Sequence, residues 1–202
     1  RLDWNQVMSA ESSGSAGKLV TSIARLDGNT DNTRLAQVLD VEAILQMVSP
    51  SDEHQVDPQK VGARLMLKPG TIVLAADDSF VARSLIEQEL KVLQAPYEMT
   101  KSGKEAWDRL NALADEAEAE GKTVQDKVAL VLTDLEMPEM DGFTLTRNIK
   151  QSARLSGLPV VIHSSLSGSA NEDHVRSVGA DGYVAKFVAE DLANTLRKVL
   201  LP

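Results

Sequence analysis

Acidic residues stand at the ends of two predicted strands in this chain of 202 residues. Asp77 and Asp78 follow the apolar run at 72–76, and Asp134 follows the apolar run at 129–133. Carboxylates that converge on one place raise one another's pKa unless a cation joins them. Mg²⁺ takes oxygen ligands while keeping waters and a place for a phosphoryl oxygen. The pattern therefore favours a magnesium site in which Asp134 can act as a nucleophile toward phosphorus.

Hydroxyl and ammonium groups follow two later strands. Ser164 and Ser165 come after the run at 160–162, and Lys186 follows the run at 182–185. A lysine and a serine hydroxyl can supply positive charge and a hydrogen bond to phosphoryl oxygens. Each residue alone has an ordinary explanation, since Asp-Asp-Ser also caps helices and a lone lysine usually lies at the surface. The combination at successive strand ends is far more specific than any member.

The elements that position these residues alternate between strands and helices from residue 71 onward. The predicted strands are 72–76, 97–100, 129–133, 160–162 and 182–185, and the predicted helices are 79–94, 104–119, 143–151, 171–178 and 192–200. This order predicts an α/β fold with a doubly wound, five-stranded parallel sheet covered on both faces. Ligands bind such sheets at the carboxyl ends of the strands, where the polar residues stand.

The composition excludes several classes of protein. Hydrophobic residues make up 43% of the chain, the net charge is -9 and cysteine is absent. The negative charge argues against nucleic acid as the main partner. No apolar run is long enough to span a bilayer, so we expect no membrane insertion. The lack of cysteine fits a reducing cytosol, and we expect a cytoplasmic protein.

The chain preceding this α/β pattern divides into two parts. Residues 1–48 carry predicted strands at 19–26 and 34–39, followed by a helix that Asp40 could cap. Residues 49–69 have the composition of a linker, although the part at 61–67 is apolar enough to pack on something. Residues 70–202 form the remaining domain.

Four stretches resemble response-regulator receiver domains. They are the loop at 132–142 (LTDLEMPEMDG), the acidic pair in 76–79 (ADDS), the strand and hydroxyl at 158–165 (LPVVIHSS) and the strand, aromatic and lysine at 179–186 (GADGYVAK). The resemblance implies that Asp134 accepts a phosphoryl group. It also implies a Mg²⁺ ion and a set of supporting roles. These are direct ligation by Asp78, Asp134 and the main-chain carbonyl of Glu136, ligation through a water by Asp77, phosphoryl contacts from Ser164 and Lys186, and a rotamer change of Tyr183 coupled to Ser164.

Three positions depart from the usual receiver pattern or leave it open. Phe187 stands where receivers usually have a proline, which leaves the Lys186–Phe187 bond undetermined. The side chain of Glu136 could crowd a phosphoryl group on Asp134. His163 is more often a core or rim histidine than a catalyst at such a strand position.

The N-terminal stretches 20–28 and 34–45 resemble the last part of a CheW-type coupling domain. A CheW-like part followed by a receiver is the layout of the CheV chemotaxis coupling proteins. This resemblance implies a signalling adaptor without true enzyme activity, showing slow self-dephosphorylation at most. A chemotaxis histidine kinase would phosphorylate Asp134, and the N-terminal segment would contact that kinase and a chemoreceptor.

Other interpretations remain open. The chain could be a stand-alone response regulator of another two-component pathway, or a receiver-shaped binding module that never takes phosphate. It could also be a phosphatase that forms an aspartyl-phosphate. Such hydrolases often carry a second Asp two residues after the nucleophile, where this chain has Glu136.

Overall fold

The computed structural model describes residues 7–9, 20–26, 34–41, 44, 61–165, 175, 177–186 and 188–200. Its strands are β1 Val7–Ser9, β2 Val20–Arg25, β3 Leu35–Leu39, β4 Ile72–Ala76, β5 Tyr97–Thr100, β6 Val128–Asp134, β7 Val160–Ser164 and β8 Gly182–Ala185. Its α-helices are α1 Phe80–Val92, α2 Gly103–Ala119, α3 Gly142–Gln151 and α4 Ala189–Leu200, with a 3₁₀ helix at Val124–Asp126. None of the helices in these ranges is long and apolar enough to cross a membrane.

The five later strands form one parallel sheet in the order β5-β4-β6-β7-β8 within the described residues. The order reverses between β4 and β6, since the chain first moves outward to β5 and then returns to the other side of β4. This arrangement confirms the predicted doubly wound fold. The carboxyl ends of β4 and β6 lie next to each other at the reversal, where such folds bind ligands.

Apolar side chains fill both faces of this sheet. The core on one face joins β-strand residues to α1 and α4 through Val73, Leu132, Val161, Ile86, Leu90, Leu192 and Leu196. The core on the other face joins the sheet to α2 and α3 through Leu74, Val131, Val160, Leu110, Leu113, Leu145 and Ile149. Burial on both faces explains why β4, β6 and β7 read as continuous apolar runs rather than alternating ones.

Polar side chains cap the N-termini of three helices and fix the residue at which each of these helices begins. The side chain of Ser79 accepts a hydrogen bond from the N–H of Ala82 at the start of α1. Ser102 and Asp141 cap α2 and α3 in the same way. The predicted helix at 171–178 lies mostly outside the described residues, although Val175 and Ser177 are helical.

The N-terminal strands form an antiparallel sheet in the order β1-β2-β3 in the part of the chain that the structure describes. The predicted strands at 19–26 and 34–39 correspond to β2 and β3, while the short β1 has no counterpart among the predicted strands. Val41 and Ile44 are helical, and the rest of the helix predicted after Asp40 lies outside the described residues.

Residues 61–67, which we call the strap, are fixed against the α1 and α4 side of the parallel sheet. Val61 is fully buried and Leu65 nearly so, and both belong to the core between these helices. The N–H of Leu65 donates to the carbonyl of Leu93 at 2.9 Å. Arg197 on α4 donates to the carbonyls of Val61, at 2.6 Å, and of Ala63. The prediction that 61–67 packs is therefore confirmed.

Candidate functional site

The predicted acidic residues meet at the carboxyl edge of the sheet. Asp77, Asp78 and Asp134 each offer a carboxylate oxygen, and these oxygens lie within 4.8 Å of one another. Asp77 is fully buried and Asp134 is only 6% exposed, while Asp78 is partly exposed. Three carboxylates this close, one of them open to solvent, form a site that a hard divalent cation can reach and fill.

Strand register explains the convergence. Ala76 on β4 is in register with Thr133 on β6, so the residues that follow, Asp77 and Asp134, stand side by side. The loop after β4 is held by its own hydrogen bonds. The N–H of Ser79 donates to Oδ1 of Asp77 at 2.9 Å, and the Asp77 N–H donates to the carbonyl of Thr100 at 3.2 Å. The backbone therefore orients the Asp77 carboxylate before any ligand binds.

Lys186 brings a buried positive charge to the three carboxylates. Its Nζ atom lies 3.1 Å from Oδ2 of Asp134 and 2.9 Å from Oδ2 of Asp77, and its side chain is 2% exposed. The contact with Asp77 is an ion pair by distance rather than a well-directed hydrogen bond. The lysine thus lies where a phosphoryl group on Asp134 would need a counter-charge.

The ionisation of Asp134 depends on these neighbours. Burial raises its pKa above the ordinary range, and the carboxylate of Asp77 raises it further. Lys186 and the N–H of Leu135, which donates to Oδ1 of Asp134 at 2.7 Å, act in the opposite direction. A further cation at the acidic cluster would favour the ionised, nucleophilic form of Asp134.

The hydroxyl predicted to contact a phosphoryl group lies next to this cluster. Ser164 ends β7 and is 1% exposed, and its carbonyl accepts from the N–H of Lys186 at 2.9 Å. Ser165 is exposed. Tyr183 on β8 is half-buried and packs against a small apolar cluster that includes Ile162 and Val175. The structure brings Ser164 and Lys186 to one edge, with Tyr183 a short distance along β8.

The sequence pattern of the response regulator receiver domain matches residues 73–197. This range holds every side chain of the acidic cluster, together with Ser164 and Lys186. The chain belongs to the receiver family.

Individual relatives extend the similarity beyond the receiver. Chemotaxis protein CheV2 of Helicobacter pylori is 30% identical over 98% of this chain, and CheV1 of the same organism is 32% identical over 98%. The chain spans 59% and 58% of the length of these two relatives. Similarity of this extent includes the N-terminal strands and is consistent with a CheV-type protein.

A solved receiver structure has the same fold. The receiver domain of the histidine kinase CKI1 from Arabidopsis thaliana, described as a complex with Mg²⁺ and BeF₃⁻, is 28% identical and has a TM-score of 0.57. The match covers 66% of this chain and 91% of the CKI1 chain. The remaining third of this chain has no counterpart in that match.

The loop that follows Asp134 in this receiver is folded tightly against β6. A Cβ atom on Gly142 would lie 2.1 Å from the carbonyl oxygen of Asp134, so only glycine fits there. The N–H of Gly142 donates to the carbonyl of Leu135 at 2.9 Å, and Glu139 takes a left-handed conformation with φ of 67°. Glu136, two residues after Asp134, is exposed, so its side chain is not held in the core.

Sequence reasoning missed one residue that supports the acidic loop. Nη1 of Arg83 on α1 donates to the carbonyls of Asp77 and Asp78, both at 2.8 Å. An arginine in the first turns of a helix after an acidic pair is a weak signal, because most such arginines point to solvent. His163, predicted to be a core or rim residue, is 5% exposed and belongs to the core. Phe187 lies outside the described residues.

Proposed function

We propose that this receiver accepts a phosphoryl group on Asp134 from a histidine kinase. The observation that carries the proposal is the position of Asp134, buried beside two carboxylates and 3.1 Å from the ammonium of Lys186. In the transfer, an oxygen of Asp134 forms a bond to phosphorus while the bond from phosphorus to the kinase imidazole breaks. The imidazole leaves with the electron pair of that bond and takes up a proton.

The acidic cluster has the donor set for Mg²⁺. Asp78 and Asp134 would hold the ion directly, together with the main-chain carbonyl of Glu136, and Asp77 would hold it through a water. The bound ion supplies positive charge to the transferring phosphoryl oxygens. Lys186 would supply a second positive charge, and the hydroxyl of Ser164 would donate a hydrogen bond to the same oxygens.

The wider role that the similarity supports is that of a chemotaxis adaptor. Its relatives CheV1 and CheV2 are chemotaxis proteins and match both the receiver and the N-terminal strands. In this proposal residues 1–48 form a partial CheW-like coupling segment that contacts a chemoreceptor and its kinase. Residues 49–69 link it to the receiver at 70–202. Phosphate on Asp134 would then modulate the coupling between receptor and kinase.

A stand-alone response regulator from another pathway is the main alternative. It shares the phosphoacceptor chemistry and differs only in its partners. Binding of the full chain to a chemoreceptor signalling fragment with its kinase distinguishes the two, because a regulator of another pathway would not enter that complex. A phosphatase is less well supported, since Glu136 replaces the second aspartate and lies exposed. Steady release of free phosphate from a small phosphoester would favour it.

Incubation of the full chain with acetyl phosphate and Mg²⁺, followed by intact mass, tests the proposal. The wild-type chain should gain the mass of one phosphoryl group, and Asp134→Asn should not, because the amide is a near isostere without the nucleophilic oxygen. Asp108→Asn, at an exposed position on α2, is the matched control and should phosphorylate normally. A full adduct on Asp134→Asn would reject Asp134 as the acceptor, and a wild-type chain that never gains mass would favour a binding module. In the time course after removal of acetyl phosphate, we expect slow loss of the phosphoryl group.

A further inference from the structure

His163 stands beside the phosphoacceptor on the same face of the sheet. It is in register with Asp134 on β6 and with Val184 on β8. Residues in register across a sheet point their side chains to the same face. The imidazole therefore lies in one row with the Asp134 carboxylate, one strand away from it.

The side chain of Lys186 has to cross β7 to reach its partners. Lys186 follows β8 at the edge of the sheet, and its ammonium contacts Asp134 on β6, with β7 between them. Lys186 comes two residues after Val184, the partner of His163 on β8, so its side chain leaves the chain on the same face as His163. The lysine stem therefore passes beside His163. Its charge is one of the two causes that lower the pKa of His163, to about 3, the larger being burial.

Simple packing does not explain a histidine at this position. The imidazole is neutral at physiological pH because of its lowered pKa, so it forms no ion pair. Its Nδ1 atom is buried and has no hydrogen-bond partner among the described residues. A buried polar nitrogen without a hydrogen-bond partner is destabilising relative to an apolar group of similar shape. A leucine would be the more stable choice if the ring only filled the core.

We propose that His163 is a positioning residue for Lys186, whose ammonium donates a hydrogen bond to Nδ1 of His163 once Asp134 carries a phosphoryl group. This inference rests on the phosphoacceptor function proposed above. A phosphoryl group that contacts both Asp134 and Ser164 lies between β6 and β7. The ammonium then withdraws from Asp77 toward its own strand and comes over β7, where His163 offers an acceptor. Nδ1 of His163 lacks a hydrogen-bond partner in the unphosphorylated state and gains one in the phosphorylated state. This gain favours the phosphorylated state.

Two substitutions distinguish the effect of the Nδ1 acceptor from the effect of the volume of the ring. His163→Leu removes the acceptor and keeps an apolar side chain of similar size. His163→Asn is smaller but retains a polar atom near the place of Nδ1, so it can still accept from Lys186. Val161→Ala, two residues earlier on the same strand and face, is a control for loss of packing alone.

The experiment measures thermal stability and the affinity for beryllofluoride with Mg²⁺ in the full chain. His163→Leu should raise the melting temperature by about 2–4 °C and weaken beryllofluoride binding about fivefold, which corresponds to one lost hydrogen bond. His163→Asn should bind within about twofold of wild type, as should Val161→Ala despite its lower melting temperature. If His163 only filled the core, His163→Leu would not raise the melting temperature and at the same time weaken beryllofluoride binding.

Three outcomes overturn the inference. The first is His163→Leu binding as tightly as wild type. The second is a His163→Asn variant as weak as His163→Leu, because then the retained acceptor has no effect. The third is a wild-type chain that binds no beryllofluoride, which also contradicts the proposed phosphoacceptor function. In the first two outcomes wild-type binding is intact, so only the role of His163 fails.

Discussion

The ammonium of Lys186 lies 2.9 Å from Oδ2 of Asp77, so a buried cation neutralises part of the acidic cluster without a metal. A bound Mg²⁺ ion would lie close to this ammonium, and the two positive charges would repel each other. We therefore expect the lysine to have opposite effects on two ligands of the same site. We expect it to weaken Mg²⁺ binding and to strengthen phosphoryl binding.

Lys186→Met should reveal both effects at once. Removing the ammonium ends this repulsion, so Mg²⁺ binding should become several-fold tighter at a pH well above 8, where Asp134 ionises without the help of Lys186. The same variant should bind beryllofluoride at least about tenfold more weakly, because a buried charge-assisted contact is lost. Isothermal calorimetry measures both affinities. If Mg²⁺ binds Lys186→Met no more tightly than wild type, the lysine does not oppose the metal.

Asp78→Ala should strongly weaken Mg²⁺ binding, because it removes the carboxylate proposed as a direct and solvent-accessible ligand. We expect a loss of at least about tenfold in affinity. Asp108→Ala, at an exposed position on α2, changes the net charge equally and should leave the affinity nearly unchanged. Equal affinities for Asp78→Ala and wild type would exclude Asp78 from the ligands.

Ser164→Ala should separate phosphorylation from its effect on partners. The hydroxyl is expected to move toward the new phosphoryl oxygens, and Tyr183 to turn into the space beside β7. The variant should still gain the mass of a phosphoryl group, while phosphorylation should change partner affinity less than it does in wild type. NMR of Tyr183 with and without beryllofluoride checks the rotamer. A single rotamer in both states, with no change in partner affinity, would contradict this switch.

Arg197→Ala should loosen the strap. Its guanidinium donates to the carbonyls of Val61 and Ala63, and charged donors to carbonyls are worth about 1.5–3 kcal/mol at most. Because the contact is partly exposed, we expect the free energy of unfolding to fall by about 1 kcal/mol. Hydrogen exchange at the amide of Leu65, which donates to Leu93, should become faster.

Lys198→Ala is the control for Arg197→Ala, since Lys198 is exposed on the same helix. Both variants remove one positive charge from the end of α4. Only the loss of Arg197 should affect the amide of Leu65. Equal exchange rates in the two variants would show that burial of Val61 and Leu65, and not the guanidinium, holds the strap.

Glu89 should make the protein less stable as the pH rises. Burial raises the pKa of Glu89 to about 8 from 4.5, and its Oε1 atom has no hydrogen-bond partner within the described ranges. Between pH 4.5 and about 8 the carboxyl is therefore protonated in the folded chain, whereas in the unfolded chain it has already lost its proton. The contribution of this raised pKa to the free energy of unfolding is present in full below pH 4.5 and is lost as the pH rises through about 8.

Glu89→Gln should remove that loss, because the amide does not ionise. His163 has the opposite pH dependence below its unfolded pKa of 6.5, since its folded pKa is lowered to about 3. The comparison is therefore cleanest between pH 6.5 and 8. Over that range the stability of Glu89→Gln should fall less than that of wild type, by about 1–2 kcal/mol. Glu87→Gln, a partly exposed neighbour paired with Lys91, should match wild type.

Most of the parallel sheet could be predicted from sequence because its strands are buried on both faces. The observed β4 and β5 coincide with the predicted strands, and β6 and β7 are each slightly longer than predicted. The helices α1 and α2 begin at serine caps that the sequence displays. The short β1 was missed because three residues carry too little periodicity to indicate a strand.

The sequence alone determined which residues gather at the site. Asp77, Asp134 and Lys186 follow successive strands, and a parallel sheet brings all such positions to one edge. Only the tertiary structure decided how they meet. The pairing of Lys186 with Asp77, the strap bound by Arg197 and the place of His163 in the row of Asp134 are contacts between distant parts of the chain. Hydrophobic periodicity records that a side chain is buried, whereas its partner depends on strand order and helix packing, which no local pattern contains.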